Sequence, residues 1–187
     1  MTAPASTKPW YRQPLFIVGT IVVAIAFLAY REYSLNNVGK KHAMVGSDAP
    51  AFELPLMGGP NTFRLEDHLG KVILLDFWAT WCVPCKRMVP ALRAINGRYS
   101  EDENFMLVPI NTDDDEPTRA RKVHRYMTTA HLNTIVPFDD TKTQVLYDVR
   151  SIPTMVLIGK DGKIARVFRG VTTRSVIERA INQELKR

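Results

Sequence analysis

Cysteine is almost missing from this chain: 187 residues contain two, Cys82 and Cys85. A structural zinc site needs four ligands, and the four histidines, His42, His68, His124 and His131, form no close pair that would complete one. No Thr-x-x-Cys precedes either cysteine, which argues against a peroxidase. There is no internal repeat and no low-complexity tract. Charge is missing in one place, residues 13–30, and modest in another. The formal net charge is +6. Lys8, Arg12, Arg31, Lys40 and Lys41 against Glu32 put +4 of it before Val45, leaving +2 for the rest. A globular part so nearly neutral is no nucleic-acid binder on charge grounds. The basic excess flanks a hydrophobic segment instead, which points to a membrane.

What is present centres on Asp76-Phe77-Trp78-Ala79-Thr80-Trp81-Cys82-Val83-Pro84-Cys85-Lys86. The apolar run 72–78 reads as a buried strand, and helix-favouring sequence follows it. Two thiols in C-x-x-C spacing at the first turn of a helix can close a small disulfide ring. The helix N-terminus favours negative charge, so Cys82 should lose its proton more easily than a free cysteine. Cys82, nearer the helix start, is expected to be the exposed attacking thiolate. Cys85 lies deeper and is expected to resolve a mixed disulfide. Asp76 interrupts the apolar strand six residues before Cys82. Buried there, its carboxyl should have a raised pKa and could take the proton of Cys85; the alternative is an Asp exposed at a strand edge. Pro84 helps hold the ring, and Trp81 is expected to cover the site or merely to pack.

This stretch resembles the active-site segment of the thioredoxin superfamily, D-F-W-A-x-W-C-x-P-C-K. Pro90 stands where thioredoxins carry the proline that kinks the active-site helix, and Ser151-Ile152-Pro153-Thr154 resembles their cis-proline loop. With the N-terminal features, the nearest subgroup is the membrane-anchored TlpA/ResA-like thioredoxins, over roughly 45–187. The resemblance implies a thiol-disulfide oxidoreductase without cofactor or metal, a cis bond before Pro153, and Ile152 offering its backbone to an extended substrate. It also assigns Asp76 the proton-transfer role. Thioredoxins place a lysine near that aspartate on the neighbouring strand; here Val108 or Pro109 falls in that place.

Residues 13–30 are bounded by Arg12 and Arg31 and would span about 27 Å as a helix, close to a bilayer core. Pro14 suits a first helical position, and Trp10, Tyr11, Tyr30 and Tyr33 suit the interface. A transmembrane anchor is the reading preferred over a signal peptide cleaved near Ala24-Ile25-Ala26 or a core helix. Residues 1–12 form an N-terminal tail and 31–44 a polar tether. The positive flanks are nearly balanced. A short tail ahead of a first span favours N-inside, with the domain in a periplasm or cell exterior.

Within 45–187, strands are expected near 49–55, 62–65, 72–78, 105–110, 135–138, 154–158 and 164–168. The last two pair around Lys160-Asp161-Gly162-Lys163. Helices are expected over 84–98, within 111–134, over 144–147 and over 173–185. This pattern fits an α/β sandwich of the thioredoxin type with an N-terminal hairpin extension and one transmembrane helix. The acidic run Asp113 to Glu116 reads as a solvated loop, and it lacks the ligand spacing and glycine of a calcium loop. Arg119, Arg121, Lys122 and Arg125 read as an exposed charged face over an apolar Val123, Tyr126 and Met127.

The leading functional expectation is a membrane-anchored disulfide reductase. Its partners would be oxidised protein thiols, such as apocytochrome c or a copper-site assembly protein, and a membrane electron donor. A disulfide oxidase or isomerase is the alternative within the class. A copper-carrying assembly protein is the alternative outside it, but would call for C-x-x-x-C and a distal histidine.

Overall fold

The computed structural model describes the backbone of residues 13–187 and the side chains of 17–187. The expected tail, 1–12, lies outside the described residues. Two compact units divide between Asn37 and Val38.

The described residues of the first unit carry one helix, α1 (Gln13–Asn36). Ile17, Val18, Ile21, Val22, Val23, Ile25, Phe27 and Leu28 are all exposed on it. It is long and apolar enough to cross a membrane. The helix continues beyond residue 30 because Arg31-Glu32-Tyr33-Ser34-Leu35-Asn36 contains good helix formers and no breaker. The tether expected over 31–44 is therefore divided: its first part is helical, and its last part belongs to the second unit. Gly39 there has φ +79°, and a Cβ on it would come within 2.9 Å of the Val167 carbonyl. The Val167 N–H donates to the Gly39 carbonyl at 3.0 Å.

The second unit has the thioredoxin-like α/β fold. A hairpin, β1 (Glu53–Pro55) and β2 (Thr62–Arg64), precedes β3 (Val72–Trp78), α2 (Val83–Tyr99) and β4 (Phe105–Asn111). Then come α3 (Arg119–Ala130), α4 (Lys142–Leu146), β5 (Thr154–Ile158), β6 (Ile164–Arg169) and α5 (Arg174–Leu185). The sheet order is β4-β3-β5-β6, with β3/β4 parallel and the other pairs antiparallel. Every residue of β3 is buried, which is why it reads as an apolar run broken only by Asp76 rather than as an alternating one.

The two faces of β3 have different tasks. Ile73, Leu75 and Phe77 join a core with Phe52, Leu54, Phe63, Val156 and Tyr147. Asp76 and Trp78 point the other way, toward Cys85, Val89 and Leu92 of α2.

Residues 135–138 do not form the expected edge strand. Only isolated bridges occur, Leu56 with Pro137 and Asn111 with Phe138, because Pro137 has no N–H to give to a ladder. The segment still covers β4: the Asn111 N–H donates to the Pro137 carbonyl and the Asp139 N–H to the Asn111 carbonyl, both at 2.9 Å. At the start of β6 the Gly46 N–H donates to the Ile164 carbonyl and the Ile164 N–H to the Ser47 carbonyl, both at 2.9 Å.

Candidate active site

Strand β3 ends at Trp78 and helix α2 starts at Val83, so the four residues between them carry the chemistry to one end of the sheet. Strand β5 begins opposite the same end, since Thr154 pairs with Phe77. That register brings the Ile152-Pro153 loop, whose peptide bond is cis, to this edge.

Cys82 and Cys85 are joined in a disulfide. Cys82 is the N-cap of α2, and its Sγ accepts the Cys85 N–H at 3.1 Å. A sulfur in that place lies on the positive end of the helix dipole and takes an otherwise unpaired donor. Pro84 stands in the first turn, where the missing N–H is harmless. The expected difference in exposure is not found in this oxidised form: Cys82 is 3% exposed and Cys85 4%. Their neighbours Trp81 and Val83 stand out, 65% and 66% exposed. The two cysteines differ by surroundings instead. Cys85 lines a small inner cavity, with about 10 Å³ of space for a water centre, and shares it with Asp76. That is about the lower limit for holding one water.

Asp76 is buried, and burial raises its pKa from 3.8 to about 7. Its Oδ1 has no hydrogen-bond partner. Its register neighbours are Pro109 on β4 and Met155 on β5, so no cation faces it across the sheet. Trp78 and Tyr126 stack at 4.6 Å beside it, and Trp78 Nε1 also has no partner. Burial, and then the Asp76 charge, push the Tyr126 hydroxyl pKa upward. The site thus holds a carboxyl poised near neutrality beside the inner sulfur, which is the requirement for moving a proton at physiological pH.

Two readings of the acidic and basic runs are corrected. Asp113 is buried rather than solvated. Its carboxylate accepts the Thr80 N–H at 3.1 Å, the Thr80 hydroxyl at 2.8 Å and the Asn111 amide at 2.7 Å. Arg119 is buried rather than part of an exposed face. Its Nε donates to Asn111 Oδ1 at 3.0 Å, its Nη2 to the Asn111 carbonyl at 2.5 Å, and its guanidinium lies 4.5 Å over Phe138. The chain Thr80–Asp113–Asn111–Arg119 therefore fastens the loop before Cys82 to β4 and α3. A signal for Arg119 was available: it lies four residues before Val123 and eight before Met127, on the face that turns inward.

Residues 44–182 match the family described as Redoxin. The chain belongs to the redoxin family. Among its relatives, the thiol-disulfide oxidoreductase ResA of Bacillus subtilis (strain 168) is 35% identical over 174 residues, covering 91% of this chain and 93% of ResA. The thioredoxin-like protein YneN of the same organism is 29% identical and covers 94% of this chain and 98% of YneN. The crystal structure of a putative thiol:disulfide interchange protein DsbE from Chlorobium tepidum superimposes with a TM-score of 0.66 at 30% identity, covering 75% of this chain and 97% of that one. With Cys82 and Cys85 in place, this redoxin-family chain is a thiol-disulfide oxidoreductase of ResA-like type, acting on disulfides of protein substrates.

Proposed function

We propose that the protein works in the reducing direction, as a membrane-anchored disulfide reductase outside the cytoplasm. The observation that carries the mechanism is the different setting of the two sulfurs: Cys82 caps a helix N-terminus, whereas Cys85 shares a cavity with Asp76. In the reduced protein the Cys82 thiolate attacks one sulfur of a partner disulfide, and the other partner sulfur leaves as thiolate. Asp76 accepts the Cys85 proton. The Cys85 thiolate attacks Cys82 Sγ, closes the ring, and releases the second partner thiolate. Two electrons pass to the partner, and the protein ends in the disulfide form. Trp81, Ile152 and Pro153 present the surface on which an extended partner lies, and Pro84 holds the ring.

The direction follows from what stabilises Cys82 as thiolate. The residues between the cysteines are Val83 and Pro84, with no histidine at the side. The helix terminus and backbone N–H groups remain, so the reduced state gains less than in a strong oxidant. The potential is expected nearer thioredoxin's, about −270 mV, than the oxidant DsbA's, about −120 mV. Such a pair needs a membrane electron donor to recharge it. Helix α1 serves as the anchor, and the partners are oxidised apocytochrome c or a copper-site cysteine pair. Equilibration against a glutathione series tests the direction: a potential above about −180 mV makes the protein an oxidase or isomerase instead.

A further inference from the structure

A cleft of about 520 Å³ opens between α2 and α3, next to the cysteines in the chain: Thr80 and Lys86, which bracket them, both line it. Its apolar wall is Val89, Tyr126 and Ala130, and its rim carries Lys86, Lys122 and Arg125. Lys122 is paired with Glu116. Lys86 and Arg125 have no acidic partner among the described residues. Val89 and Tyr126 also line the inner cavity of Asp76 and Cys85, so the cleft and the buried site share these two side chains. Asp113, Asp114 and Asp115 line a different pocket, and Asp113 is occupied by the Thr80 bonds.

A groove with an apolar floor and two unmatched cations asks for an occupant of complementary charge. We propose that the cleft between α2 and α3 receives the substrate polypeptide beside its disulfide, and selects segments in which an acidic side chain neighbours an apolar one. The apolar side chain lies against Val89, Tyr126 and Ala130 while its acidic neighbour reaches Lys86 and Arg125. This rests on disulfide exchange with polypeptides but not on its direction, since an oxidant and a reductant would hold the partner alike.

The test uses the full chain with Cys82→Ser and Cys85→Ser, so that binding is read without chemistry. Three labelled disulfide peptides differ at one position beside a leucine near the cystine, carrying Glu, Gln or Lys. Fluorescence anisotropy is expected to show the Glu peptide bound about tenfold tighter than the Lys peptide, near the upper end for two exposed charge contacts. Raising the salt concentration should shrink the preference. Arg125→Glu should reverse the order, and Lys86→Glu on the other wall should act in the same direction, which separates a charge effect from local misfolding of α3. Equal binding of the three peptides, or a preference that both charge reversals leave in place, overturns the proposal. The glutathione equilibration of the unaltered protein is a separate reading: an oxidising potential removes the reductase assignment and leaves the cleft result standing.

Discussion

Asp76→Asn should make the protein more stable at alkaline pH and slower at its work. The carboxyl has a pKa of about 7 in the folded chain and 3.8 when free of burial. Between those values the unfolded chain has released the proton and the folded chain still holds it. The Asp76 contribution to stability is therefore greatest below about pH 4, declines as pH rises toward 7, and is level above that. At about 1.4 kcal/mol per pH unit between the two pKa values, the wild type gives up about 4 kcal/mol over the window. Asn is nearly isosteric with the neutral carboxyl and cannot ionise, so the variant lacks this slope. Denaturant unfolding of the oxidised full chain in detergent, followed by tryptophan fluorescence at pH 4.5, 6 and 8, reads it directly. The two proteins should be close at pH 4.5, and the variant more stable by up to about 4 kcal/mol at pH 8. Every other titrating group cancels in the difference. Parallel stability curves across this range would refute the buried, high-pKa carboxyl. A variant that also kept the wild-type pH–rate profile for disulfide reduction would remove Asp76 from proton transfer.

The remaining expectations concern the pair, the network and the anchor. Cys82→Ser should abolish disulfide reduction, and Cys85→Ser should leave stable mixed disulfides on Cys82; mass spectrometry finding the adduct on Cys85 of the Cys82→Ser variant instead would reverse the assignment. Arg119→Met removes a buried guanidinium that holds Asn111 and the Asp139 carbonyl; charged hydrogen bonds of this kind suggest a loss of about 2–4 kcal/mol, and an unchanged thermal midpoint would contradict it. A reporter active only outside the cytoplasm should work when fused after Arg187, with the chain sedimenting with membranes; recovery of a soluble product lacking the first helix would indicate cleavage.

The parts of this fold that could be read in advance were those where one local rule dominated. Strand 72–78 was legible because full burial leaves only apolar residues plus one carboxylate, and that exception marked Asp76 as a site residue. The hairpin around Lys160-Asp161-Gly162-Lys163 was legible because Gly162 takes φ +75°. What escaped were features decided by tertiary partners. Asp113 and Arg119 look like surface charges until β4 and the loop at Thr80 come together around them. The strand expected at 135–138 failed at Pro137, which alternation in hydrophobicity does not weigh. The first helix runs on past residue 30, where the apolar run closes, because the charges that close an apolar run do not also end a helix. Equal burial of the two cysteines is set by the tertiary surroundings of the closed ring, which spacing alone does not encode.

The two covered edges of the sheet have a consequence for what the protein meets while working. Oxidised substrates arrive as extended chains, and an extended chain will add itself to any open strand through its backbone, whatever its sequence. Gly46 and Ser47 bond Ile164 at the start of β6, Gly39 takes the Val167 N–H further along it, and the 137–139 segment bonds Asn111 at the end of β4. A visiting chain therefore meets backbone that is already paired at these points on each flank. Each cover shortens the stretch of edge on which an extended partner could add itself as a further strand.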